Sequence, residues 1–166
     1  MGLVERRDIA FEDFAVGQTF TSRGRTMTEA DIRLFIGATG ADHPIHTDSA
    51  HSRSHPVLRD VCMQGLLNLS VLDGFLVDTL TRRMPLVMNY GHDKVRYLAP
   101  VYCGDKIHAE MEISACDLRD ADYGKVAIDC VLRNQHGEAV VFDRHLLIVG
   151  TRDHVRRVVA ERATAR

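Results

Sequence analysis

The stretch TGADHPIHTDSAHSRSHP, residues 39–56, gathers four of the nine histidines and two aspartates of a 166-residue chain. Side chains of these types in one loop suit three kinds of chemistry. Neutral imidazoles bind transition metals. A carboxylate and an imidazole together move protons. The same groups also cap backbone N–H groups at turns and helix starts.

The metal reading is the weakest by spacing. Only His51 and His55 stand four residues apart, Pro56 ends any helix that carries them, and no cysteine lies near. No metal is therefore expected at this loop. HTDSAHS reads as the start of a short helix capped by Asp48 or Ser49, which accounts for Asp48 and leaves His51 and His55 with no special role.

The elements around the loop must hold it in place. Before it, TEADIRLFIGATG has the pattern of an amphipathic helix: Thr28 at the N-cap, Asp31 in capping-box position, an apolar stripe of Ile32, Phe35 and Ile36, and Gly40 as the stop. After it, Val61 to Leu80 is apolar around most of its circumference, so the rest of the fold is expected to enclose it. Gly65 and Gly74 in this helix suit close approaches of backbone.

Downstream the periodicity changes to strands. In KIHAEMEISA, Ile107, Ala109, Met111, Ile113 and Ala115 alternate with polar residues. GKVAIDCVLRN and AVVFDRHLLIVG flank the turn QHGE. NYGHDKVRYLAP gives a further strand ending at Pro100, and QTFTSRGRTMT an early one. One buried helix followed by consecutive antiparallel strands is an α+β pattern, enclosed most economically by a curved sheet wrapped about the helix. The final fifteen residues, 152–166, contain five arginines and read as a short surface helix fraying into a solvated tail.

Composition sets outer limits. The chain is 45% hydrophobic and 27% charged with a formal charge of −2, ordinary for one globular domain spanning residues 1–166 and without an electrostatic footprint for nucleic acid. Cysteines 62, 103, 116 and 130 contain no C-x-x-C pair, a usage that suits a reducing, cytoplasmic compartment. The opening MGLVERRDIAFEDF lacks an apolar signal core, so export is not expected. No apolar run reaches the roughly 18 residues of a membrane span.

Four segments carry a resemblance. ATGADHPIHTD resembles the G-D-x-N-P-[IL]-H-x-D motif of the MaoC-like hydratases and dehydratases, the (R)-specific enoyl-CoA hydratase family. FEDFAVGQTF is similar to the family's opening, MQGLLNLSVLDG to its H-G-[ML]-L helix start, and DKVRYLAPVYCGDKI to its [RK]-F-x-x-P-V-x-x-G-D strand and turn. They stand in family order over nearly the whole chain. The same motifs occur in proteins labelled nodulation protein N.

The resemblance implies a hotdog fold, an antiparallel sheet around one long helix, generally paired into a homodimer. It implies reversible hydration of a trans-2-enoyl thioester, carried by coenzyme A or an acyl carrier, to the (R)-3-hydroxyacyl thioester, without metal or redox cofactor. The family's histidine falls on His46, and its oxyanion donor on the backbone N–H of Gly65 at a helix start. The family's aspartate falls on Ala41, its asparagine on His43, and the histidine before the helix glycine on Gln64. Asp42, one residue on, is the candidate replacement carboxylate, with His43 and Gln64 as possible supporting groups. The alternative implied by Ala41 is a catalytically silent acyl-thioester binder on the same fold.

Overall fold

The computed structural model describes residues 8–164. The first half of the N-terminal stretch on which the export reading rests lies outside these residues, as do the last two of the basic tail. The chain begins with short strands β1, Thr19–Thr21, and β2, Arg25–Thr26. Helix α1 spans Glu29–Thr39 and starts where expected: the N–H and Oγ–H of Thr28 each donate to Asp31 Oδ2 at 2.8 Å. It stops at Gly40, whose φ of 71° is the left-handed conformation that glycine adopts without steric cost.

The motif loop folds into a 3-10 turn, Pro44–His46, and a short helix α2, Ser49–Ser54. Asp48 caps α2 by accepting the N–H of His51 at 3.0 Å. Helix α3 spans Gly65–Thr79, and the long strands follow: β3, Val87–Tyr97; β4, Lys106–Leu118; β5, Tyr123–Arg133; and β6, Ala139–Gly150. Residues 134–138 form the expected hairpin turn between β5 and β6. A last helix, α4, spans Arg152–Thr164. It is tied down more firmly than a fraying tail, since Val155 is buried and ion pairs join Arg152 to Asp13 and Arg157 to Asp122.

The strands form one antiparallel sheet in the order β1-β4-β5-β6-β3, with β2 also pairing β4. Alternation decides what its concave face presents. Ile107, Ala109, Met111 and Ile113 of β4 join Val126, Ile128 and Leu132 of β5 and Val141, Leu147 and Val149 of β6 in one core. Leu67, Val71, Leu72, Phe75 and Leu76 of α3 complete it. The sheet thus wraps the helix, as the periodicities predict.

The enclosure is one-sided, however. Leu66 of α3 remains 61% exposed and Val77 is also exposed, so one chain covers only part of a helix that is apolar nearly all round. Among the described residues no helix is long and apolar enough to cross a membrane.

Leu72 lies at the centre of this packing with no solvent exposure. Leu72→Ala is expected to cost roughly 2–5 kcal/mol through lost transfer energy and a residual cavity. Urea unfolding checks it, with Leu34→Ala, on the exposed face of α1, expected to stay within about 0.5 kcal/mol of wild type.

Candidate active site

His46 ends the 3-10 turn that Pro44 begins, a position where proline's fixed φ suits the first residue. Its Nδ1 lies 2.8 Å from the carbonyl oxygen of Cys62. A carbonyl only accepts, so Nδ1 carries the proton and the neutral ring keeps its lone pair on Nε2. The Cys62 N–H donates back to Ile45 O at 3.2 Å, and Cys62 pairs with Tyr102 in an antiparallel bridge. Met63 N–H donates to Val101 O at 2.7 Å. The connector before α3 is therefore stitched both to the motif turn and to the segment leading into β4.

Gly65 opens α3, where the first backbone N–H groups have no partner within the helix. A Cβ at this position would lie 3.0 Å from ring carbons of Tyr97, so the helix start is pressed against that ring and a larger residue would have to displace it by a few tenths of an ångström. Gln64, the N-cap residue, is buried and makes no side-chain cap bond. Its Nε2 instead donates to the carbonyl of Ala41 at 3.1 Å, while its Oε1 is buried without a hydrogen-bond partner.

These contacts bring Ala41, His46, Gln64 and Gly65 into one neighbourhood. Among the described residues, no hydrogen bond joins the Asp42 or His43 side chain to His46, Gln64 or Gly65. Both are exposed on the turn between α1 and the 3-10 segment. The Asp42 side chain has no hydrogen-bond or ion-pair partner among the described residues; its backbone carbonyl accepts from Thr47 Oγ1 at 3.4 Å. His43 uses Nδ1 to accept the N–H of Ile45 at 3.3 Å, a turn-capping bond. Asp105 is buried in the turn before β4, where it holds the backbone by accepting from the N–H of Tyr102 at 2.8 Å and from Gln135 Nε2 at 2.9 Å.

A cavity of about 540 Å³ opens beside His46, lined also by Ile32, Ile36, Arg33, Arg59, Asp60 and Tyr102. A larger groove of about 690 Å³ lies between α1 and α3 but contains none of the residues of the histidine-rich loop 39–56. Arginines of both cavities are ion-paired, Arg23 and Arg82 with Asp78 and Arg25 with Asp31 in the groove, Arg33 with Glu29 and Arg59 with Asp105 in the smaller one. The smaller cavity, beside His46, therefore defines the candidate site.

Sequence reasoning passed over Arg33, Arg59 and Asp60. Nothing in their spacing separates them from a solvated surface, although Tyr102 lies within the PVYCGDK segment. Arg59 stacks over the Tyr102 ring at 4.2 Å and reaches Asp105 Oδ1 at 3.3 Å. Asp60 is no stand-in for the absent aspartate. Hydrogen bonds from Arg53 and Ser49 hold its carboxyl down at about 2, and both oxygens are occupied as acceptors. Nor is there a thiolate nucleophile: burial pushes the Cys62 and Cys103 thiols up, keeping them protonated. What remains for proton chemistry is the free Nε2 of His46.

The chain is similar to Nodulation protein N of Rhizobium meliloti, 33% identical over 109 residues, covering 64% of this chain and 68% of that one. It is also similar to the (R)-specific enoyl-CoA hydratase of Rhodospirillum rubrum, 29% identical over 105 residues, covering 63% of this chain and 69% of the relative. The alignments thus span about two thirds of each relative's length. Among solved structures, a MaoC-like dehydratase from Rhodospirillum rubrum superposes with a TM-score of 0.76 at 24% identity, covering 87% of this chain and 98% of that one. Its likeness establishes the hotdog fold described above. The MaoC like domain model matches residues 13–132, and on that match the chain belongs to the MaoC-like family.

Proposed function

We propose that the protein catalyses (R)-specific hydration of trans-2-enoyl-CoA thioesters and the reverse dehydration of 3-hydroxyacyl thioesters. The observation that carries this reading is the His46 ring, locked through Nδ1 with Nε2 left free beside a cavity. Nε2 takes a proton from water as the water oxygen bonds to the β-carbon. Charge then collects on the thioester oxygen, where the Gly65 N–H donates to it. The α-carbon next takes a proton, and the protonated His46 can return the one it removed. Water addition and proton return need no redox group, and no metal is assigned to this step. Arg33 and Arg59 at the cavity suit the phosphates of coenzyme A or of an acyl carrier's prosthetic arm.

The missing carboxylate at position 41 favours one competing reading, an acyl-thioester binder without turnover. Loss of one partner of an acid–base pair typically costs about 10²–10⁴ in rate. Asp42 could fill the gap only if the turn it occupies closed over substrate. The four cysteines are all free, which fits the cytoplasmic location expected from their usage.

The measurement is loss of the enoyl-thioester absorbance over a panel of acyl chain lengths. Wild type is expected to turn over slowly, and His46→Ala to lose at least about 100-fold with the fold intact. Loss of turnover in Asp42→Asn reports closure of the turn; unchanged turnover leaves His46 as the sole proton carrier. Ala41→Asp, alone or with Gln64→His, is expected to raise kcat by about 100-fold or more. Tight acyl-CoA binding with no wild-type turnover on any chain length would sink the enzyme reading and leave the binder.

The second part of the proposal is a homodimer. Among the described residues, strand β3 ends the sheet with an unpaired edge of eleven residues, along which Met88 is 53% and Tyr90 58% exposed. Such an edge is a template for a second copy, and the exposed Leu66 and Val77 of α3 offer apolar surface for the same contact. Light scattering is expected to give twice the 18.6 kDa chain mass. Met88→Lys with Leu66→Lys should shift the protein toward monomer, and a monomeric wild type would end this part of the proposal.

A further inference from the structure

Away from His46, three side chains converge on the helix-facing side of the sheet. Asp143 and His145 are two residues apart on β6, in phase with the core residues Val141, Leu147 and Val149, and His92 of β3 lies opposite His145 in the strand register. His92 Nδ1 is 2.9 Å from Asp143 Oδ1, and His145 Nδ1 is 3.2 Å from Asp143 Oδ2. One ligand atom from each residue falls within 4.8 Å of the others. Asp143 and His145 are fully buried, whereas His92 reaches the surface at the sheet edge.

Three features set this cluster apart from a polar patch. No lysine or arginine pairs with Asp143 among the described residues, and a buried carboxylate calls for a compensating cation. Nε2 of the fully buried His145 has no hydrogen-bond partner, so the ring is held inside at a cost its own contacts do not meet. Register shifts at Asn89/Gly91 and His92/Lys94 bracket His92, and strand bulges of this kind re-aim side chains. The donor spacings are also informative. A tetrahedral zinc ion with bonds of about 2.0–2.2 Å places neighbouring ligand atoms roughly 3.3–3.6 Å apart, and each imidazole Nδ1 lies near that distance from one Asp143 oxygen.

We propose that His92, Asp143 and His145 form a binding site for a divalent transition metal of the zinc class, with a fourth position open toward the His92 edge. Two imidazole nitrogens and one carboxylate oxygen are a donor set suited to such an ion. Bound there, it clamps edge strand β3 to β6 beneath the start of α3. Tyr97, whose ring meets Gly65, pairs with Val141, two residues from Asp143 on β6. Its phenol is held above its usual range by burial first and then by the Asp143 charge, in keeping with that proximity. Among the described residues, the motif histidines do not gather into a group of three metal-ligating side chains as these do.

The test titrates chelator-stripped protein with Co²⁺ alone, then with Zn²⁺. One Co²⁺ per chain, giving visible d–d bands that Zn²⁺ abolishes, is the expected result, together with a higher Tm in Zn²⁺. His92→Ala, at the sheet edge, should keep its far-ultraviolet circular dichroism and bind at least about 100-fold more weakly. The double variant His51→Ala/His55→Ala should bind as wild type does. No Co²⁺ uptake by the wild-type protein overturns the proposal without recourse to any variant. So does uptake undiminished in His92→Ala, or uptake lost with His51 and His55.

Discussion

The carbonyl oxygen of Cys62 accepts the Nδ1–H of His46 while the N–H of the same residue donates to Ile45. This reciprocal pair is the point on which the site depends. A net hydrogen bond contributes only about 0.5–1.5 kcal/mol to stability. Its leverage is geometric: it fixes which imidazole nitrogen holds the proton and which is left free. The acceptor is backbone, so its place is set by what holds residues 61–63, namely the bridge to Tyr102 and the bond from Met63 to Val101. Those in turn rest on the Asp105 turn, whose buried carboxylate accepts the Tyr102 N–H. A loop that looks mobile by composition is thereby anchored to the sheet and to the first turn of α3.

The sheet and helix were legible because their signals are local and repetitive. Thr28, Asp31 and Gly40 mark the ends of α1 by their own hydrogen-bonding chemistry, and the alternation of Ile107 through Ile113 states which face is inside. The all-round apolarity of Val61–Leu80 foretold burial but not by what. Leu66, left exposed, shows that the described residues cover only part of it. The motif supplied His46 and Gly65 by type and order. It could not supply the side-chain directions of Asp42 and His43, because a turn of irregular φ and ψ has no period to read.

Strand β6 shows a different limit. Asp143 and His145 stand in phase with Val141, Leu147 and Val149, so the alternation alone puts two polar groups on the inner face. That much is visible in the sequence AVVFDRHLLIVG. Their partner His92 is fifty-one residues from Asp143, and only the β3–β6 register, with its bulges, brings the two together. Long-range pairings of this sort carry no local signature, which is why a cluster of chemically capable groups escaped notice while a histidine-rich loop drew it.

Two of the three departures from the family motif are Ala41, in place of aspartate, and Gln64, in place of histidine. In the sequence they are separated by twenty-three positions and look independent. In the fold the Gln64 amide donates to the Ala41 carbonyl, so they are one change at one contact. An aspartate at position 41 carries a charge that a donor at position 64 can face; with alanine there, only the backbone oxygen remains. A glutamine reaches that oxygen but strands its own Oε1 in the interior. A buried amide left half-satisfied costs free energy that a fold does not incur without cause. On the reading proposed above, the pair is a remodelled acid–base position with the proton chemistry concentrated on His46. Because a one-residue step in chain direction changes where a side chain points, conservation of residue type within the loop is no substitute for conservation of place.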